Sequence, residues 1–264
     1  MATWKLVVAY DGARFSGWQR QASDRSVQGT LETALTQLFG GSSITVHGAG
    51  RTDAGVHAHG QVASFRSDIP RDAESVRMGL NTILPSDVSI LSACTVDGDF
   101  HARIHATNKL YRYIVLGRRD RDPFQHARAW HVRRTVDWDA VDACLGLYIG
   151  THEFKGFRSA GCVMKRTVRS IHRAERREVA PAVHHLEYEG PGFLRYQVRI
   201  LTGTAIDVGL GRRTLEDVRA ALTTGDRERA GETAPPQGLY LVRVDHAQGV
   251  EGRAGGIPDE ADEA

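Results

Sequence analysis

The chain has 264 residues, enough for about two domains of ordinary size and for a buried core that needs no disulfide or metal. Its 34 Lys and Arg against 32 Asp and Glu leave a formal net charge of +2, and 41% hydrophobic residues exclude a disordered chain. No apolar run reaches transmembrane length, and the opening MATWKLVVAYDG lacks a basic segment followed by an apolar one. The three cysteines, Cys94, Cys144 and Cys162, are too scattered for a disulfide framework or a CxxC zinc site, so a soluble protein of a reducing cytoplasm is expected.

Taken in chain order, the first half alternates clearly. TWKLVVAY (3–10) reads as a strand. VQGTLETALTQLF (27–39) spaces Val27, Leu31, Leu35 and Phe39 for one helical face, with Ser26 as its N-cap and Gly40-Gly41 as its stop. ITVHGA (44–49) and QVASF (61–65) read as strands around a Gly-rich loop. RDAESVRMGLNTIL (71–84) predicts a second helix, and VSILSACTV (88–96) another strand. The order β-α-β-β-α-β is the split pattern of a ferredoxin-like sheet.

The second half repeats that order at greater length. KLYRYIVL (109–116) predicts a strand, DWDAVDACLGLYI (137–149) a helix, and TVRSIHRAERREV (167–179) with VHHLEYEG (183–190) two strands of a hairpin. FLRYQVRILTGTAIDVGLG (193–211) and LEDVRAALTTG (215–225) predict helices, and GLYLVRVDH (238–246) a closing strand. The expected fold class is α+β: two ferredoxin-like α/β domains, 1–104 and 105–248, with antiparallel sheets bordering a basic central cleft. GVEGRAGGIPDEADEA (249–264) carries five acids and one base without apolar periodicity, and is expected to be a disordered acidic tail.

The positive charge is clustered. Residues 101–134 carry a net charge of +7 and residues 158–177 a net charge of +6, and 30 of the 34 bases are Arg. A guanidinium forks onto phosphate and stacks on bases, so the clusters suit a nucleic-acid surface.

The loop GAGRTDAGVHAHGQVASF (48–65) concentrates the chemistry. Its glycines permit backbone conformations closed to other residues and a close ligand approach. Asp53, with Arg51 two positions before it, should stay ionised and serve as nucleophile or base; the bland alternative is an Asp that caps a turn. His57 and His59 share one strand face as some metal-ligand pairs do, but no third ligand follows at metal-site spacing. Tyr111 and Tyr113 share one face of their strand, where a ring stacks either on an unpaired base or in the core. Arg195 and Arg199 fall on one face of the predicted helix, and the apolar neighbours of Arg199 imply partial burial and an anionic partner.

GRTDAGVHA (50–58) resembles the signature of the TruA-type tRNA pseudouridine synthases. The resemblance runs in order through YDGARFSGWQRQ (10–21), SVQGTLETAL (26–35), FHARIHATNKLYRYIV (100–115), GTHEFKGFRSAGC (150–162), GFLRYQVRILTGTAIDVGLG (192–211) and APPQGLYLVRV (234–244). It implies a cofactor-free and metal-free homodimer that isomerises uridine to pseudouridine in the anticodon stem-loop of tRNA, at positions 38–40, with no DNA or membrane partner. It also assigns roles. Asp53 is the catalytic aspartate, Tyr111 stacks on the target base, Arg199 pairs with the aspartate, and Arg51 binds RNA and holds the flipped nucleotide. Gln197 and Ile200 depart from the Met-Val-Arg-Asn expected around Arg199, and Lys109-Leu110 stands where two arginines often precede the tyrosine. Two other classes compete with this reading: a metal-dependent hydrolase built on Asp53, His57 and His59, and a non-catalytic RNA-binding protein.

Overall fold

A computed structural model describes residues 1–41, 43–96, 98–159 and 166–247. Cys162 and the acidic tail 249–264 lie outside the described residues. The chain divides into two compact units, Met1–Thr107 with the described residues from Val244 onward, and Asn108–Arg243.

In the first unit, β1 (Ala2–Tyr10) alternates as its sequence demands, burying Trp4, Leu6, Val8 and Tyr10. α1 (Val27–Leu38) buries Val27, Leu31, Ala34 and Leu35, and the Ser26 hydroxyl accepts the Gly29 N–H as the cap. β2 is reduced to His47–Gly48, whereas β3 (His57–Ser67) begins four residues before the expected strand and takes in both histidines of the HxH pair. α2 (Ala73–Ile83) starts on an Asp72 cap and leads into β4 (Val88–Val96). β1 lies between β4 and β3, antiparallel to both, and β2 pairs antiparallel with β3. This is the strand order of the split β-α-β pattern. The helices cover an aromatic core in which Trp4 stacks on Phe65 at 5.9 Å and Phe39 meets both rings edge-on.

In the second unit, β5 (Ala106–Leu116) pairs in parallel with the short β6 (Trp130–His131). α3 (Trp138–Gly146) follows on an Asp137 cap. β7 (Gly150–Glu153) and β8 (Val168–Ile171) form a separate two-stranded sheet. β9 (Arg173–Ala180) and β10 (Val183–Gly190) form the expected hairpin, and β10 runs antiparallel to β5 with Tyr188 opposite Tyr111. α4 (Gln197–Gly209) is shorter than its sequence pattern, and α5 (Leu215–Thr224) begins in a Thr214–Asp217 capping box and stops at Gly225, whose φ is +71°. β11 (Leu239–His246) flanks β5, starting in the second unit and ending in the first. Among the described residues, no helix is long and apolar enough to cross a membrane.

Candidate active site

Asp53 sits in a tight turn. Its carbonyl accepts the Val56 N–H at 3.1 Å, and Gly55 takes φ +77° to close the turn. The Asp53 side chain is half-buried, between buried Thr52 and exposed Ala54. What holds the turn is the segment that follows β1. Trp18 N–H donates to the Thr52 carbonyl at 3.1 Å, Gly55 N–H to the Phe15 carbonyl at 3.3 Å, and the Tyr10 and Thr52 hydroxyls meet at 2.8 Å. Burial pushes the Tyr10 phenol well above its ordinary pKa, so it stays protonated and able to donate.

Two glycines make this close approach possible. A Cβ on Gly12 would lie 1.9 Å from the Val56 carbonyl oxygen, and one on Gly17, already at φ +95°, would lie 2.7 Å from the Thr52 oxygen. The blocks YDGARFSGW and GRTDAGVHA are therefore two sides of one backbone interface, which their separation in sequence conceals. Gln61 adds a third anchor by donating to the Gly50 carbonyl at 2.8 Å. Arg51 is exposed on the same loop.

The HxH pair is not one ligand set. His57 is buried, its Nδ1 lying 3.1 Å from Gly12 N and 3.0 Å from Asp11 Oδ1, whereas His59 is exposed. That nitrogen accepts from Gly12 when it carries no proton and donates to Asp11 when it does. Among the described residues, no three His, Cys, Asp or Glu side chains are grouped as metal ligands.

Tyr111 and Arg199 belong to the second unit. Tyr111 is 7% exposed on β5, its ring edge-on to Phe193 at 5.2 Å. α4 is buried along its whole length except at Arg199. The Arg199 Nε donates to the Ala234 carbonyl at 2.8 Å, and Ala234 N–H returns a bond to the Arg199 carbonyl at 3.1 Å. Arg195 is not on the helix, which corrects the shared face expected from sequence. The chain turns through Tyr196 at φ +65°, and α4 begins only at Gln197, whose side chain accepts the Leu194 N–H. Both guanidiniums nevertheless reach the Tyr196 ring, Arg195 at 4.9 Å and Arg199 at 4.8 Å from its centroid.

The basic clusters are partly neutralised. Arg112 pairs with Glu187, Arg176 with Asp142, and Arg173 with Glu187 and Glu189. These carboxylates lie outside the segments 101–134 and 158–177, so counting charge by segment overstates the free positive surface. Arg119, Arg121, Arg133 and Arg134 are exposed and make no ion pair among the described residues. Phe124, 92% exposed, lies in the same stretch.

The family model of tRNA pseudouridine synthases matches residues 6–103 and 145–246. The chain belongs to the tRNA pseudouridine synthase family. It is an isomerase that forms pseudouridine in tRNA. Similar proteins, each described as tRNA pseudouridine synthase A, span nearly the same length. That of Geobacter sp. (strain M21) is 43% identical over 91% of this chain and 97% of its own. That of Solidesulfovibrio magneticus is 44% identical over 97% and 95%, and that of Myxococcus xanthus 40% identical over 98% and 97%. The two blocks that build the Asp53 turn both fall inside the first matched region, with α1 and β2 between them.

Proposed function

We propose that this synthase acts on uridines of the tRNA anticodon stem-loop with Asp53 as its catalytic carboxylate, Tyr111 stacking on the target base, Arg199 as the cation that keeps Asp53 ionised, and Arg51 holding RNA. The observation that carries the reading is the Asp53 turn. It is fixed from both sides by backbone bonds and glycine contacts, yet leaves its carboxylate half-exposed. A structural cap would not need that much scaffolding.

The reaction breaks the C1′–N1 bond, turns the base and joins C1′ to C5. The C5 proton is lost and N1 regains one, so atoms and electrons balance without an oxidant, reductant or phosphate donor. The target base leaves its stack at a cost of a few kcal/mol, which stacking on Tyr111 and phosphate contacts from exposed arginines offset. Asp53 then works on the ribose, as a nucleophile at C1′ or as a base at C2′; either route needs the ionised form. The enzyme is taken to work as a cytoplasmic homodimer.

Asp53→Asn tests the assignment. It keeps shape and removes the reactive oxygen anion, so turnover of transcribed tRNA should be abolished while tRNA affinity stays within a few-fold. Appreciable pseudouridine formation by this variant would overturn the assignment.

A further inference from the structure

Phe124 is the most exposed large apolar side chain among the described residues, at 92%. A single exposed apolar residue is ordinary on a protein surface, but this one is presented by a held backbone. The Asp122 carboxylate accepts the Phe124 N–H at 2.9 Å. Gln125 N–H donates to the Asp122 carbonyl at 3.2 Å, and Arg128 N–H to the Gln125 carbonyl at 3.0 Å. Arg118 pairs with Asp122 at 3.1 Å, and the Tyr240 hydroxyl of β11 donates to the Arg128 carbonyl at 2.9 Å. The turn uses only the N–H of Phe124, so a polar side chain would serve it without holding a ring in water.

The sheet gathers cations around this turn. β5 and β6 run parallel with Leu116 opposite His131, so residues 117–119 and 132–134 leave it at the same end. The His131 Nε2 lies 2.8 Å from the Arg118 carbonyl oxygen and ties the two exits together. Residues 117–134 hold six arginines against two aspartates, a net charge of +4. Arg119, Arg121, Arg133 and Arg134 are exposed and make no ion pair among the described residues. One flat ring among free guanidiniums matches a nucleobase between its phosphates, since any base offers a π face and the cations take the backbone. A protein partner would need a wider apolar centre. A symmetric contact with a second copy would set the same positive charges against each other.

We propose that Phe124 is a stacking platform for an unpaired base of tRNA other than the target uridine, with the surrounding arginines on the flanking phosphates. A ring this exposed cannot exclude water from a reacting ribose, so the base it holds is not the one that reacts. The platform stands apart from the Asp53 assignment, because it needs only that tRNA is bound.

The test measures binding of transcribed tRNA, and of a blunt RNA duplex, by the full-length enzyme carrying Phe124→Ala, Phe124→Leu or Phe124→Trp. The ring takes no part in the core, so all three variants fold. Ala and Leu should each weaken tRNA binding by about fivefold or more, as the loss of one base stack does. The slope of affinity against salt should not change, because no phosphate contact is lost. Trp should bind within twofold of the parent, and no variant should alter affinity for the duplex, which has no unpaired base to offer. A smaller loss in Ala overturns the proposal, as does a Leu variant that binds like the parent, since apolar packing would then suffice. An equal loss on the duplex, or a lowered salt slope, assigns the effect to the RNA backbone and also overturns it. Sedimentation velocity supplies the last arm: an Ala variant that forms a smaller assembly than the parent places the ring in a contact between copies instead.

Discussion

Gly203→Ala offers a test of how Arg199 is held. Gly203 lies inside α4, where replacing Gly by Ala ordinarily stabilises a helix by about 1 kcal/mol. Here the added Cβ would lie 1.9 Å from the Glu232 carbonyl oxygen and 2.9 Å from its carbon. Neither is a flexible side-chain end, so the 232–234 backbone must retreat by roughly 1 Å or more to reach ordinary contact. That retreat breaks bonds on both sides of the clash. Glu232 N–H donates to Asp207 at 3.1 Å, Ala234 N–H donates to the Arg199 carbonyl at 3.1 Å, and the Arg199 Nε donates to the Ala234 carbonyl at 2.8 Å. Neutral bonds contribute about 1 kcal/mol each and charged ones about 1.5–3 kcal/mol, so the losses exceed the propensity gain and the net change should be a destabilisation of about 3 kcal/mol. Urea denaturation followed by circular dichroism measures it, with turnover assayed below the transition. Gly146→Ala is the matched control, since Gly146 is also helical but nothing lies within 4 Å of its added Cβ; it should gain about 0.5–1 kcal/mol. A Gly203→Ala enzyme as stable as the parent, with the same kcat, would refute the claim that the 232–234 segment grips Arg199.

Three other expectations follow from local chemistry. Asp217 is held down to a pKa of about 2 by the Thr214 backbone N–H first, and by Arg229 and the Thr214 hydroxyl after it. A depressed carboxylate stabilises the fold above its unfolded pKa and loses that contribution as pH falls through the folded one. The Tm difference between the parent and Asp217→Asn should therefore be full near pH 5 and vanish toward pH 2; a constant difference would contradict the linkage. Burial pushes the Cys144 thiol up to about 12, so iodoacetamide at pH 8 should leave it unmodified in the native enzyme and label it in urea. Arg133→Ala with Arg134→Ala should weaken tRNA binding and flatten its salt dependence by about two in slope if both guanidiniums meet phosphates; an unchanged slope in a filter-binding titration would exclude these two.

The elements with a clear period were legible from the sequence. The apolar spacing of α1 and its cap Ser26 act locally, within four residues, and the sequence places α1 to α5 in their order along the chain. Legibility failed where a distant partner decides. β2 shrank to two residues although ITVHGA has strand composition, and β3 extended back over His57 because β1 supplies a partner at Tyr10 opposite Ala58. The start of α4 was misplaced because nothing in FLRYQV announces a left-handed tyrosine. Asp53 and Arg51 were singled out through the motif around them, but the reason that motif needs Gly12 and Gly17 exists only across a backbone contact. The charge clusters misled in the opposite sense, since Glu187 and Glu189 on β10 cancel arginines counted elsewhere.

The division of the chain has a consequence for its synthesis. The second unit, Asn108–Arg243, is an insertion within the first, and the first recovers its last pieces only from Val244 onward. Among those pieces is His246, whose ring bonds the Ala102 carbonyl at 2.9 Å and packs edge-on against Phe100. A ribosome-bound chain can finish the inserted body while the outer one, which carries the Asp53 turn, still waits for its closing residues. A circular permutant opened near residue 243 would reverse that order of completion without altering a single side chain.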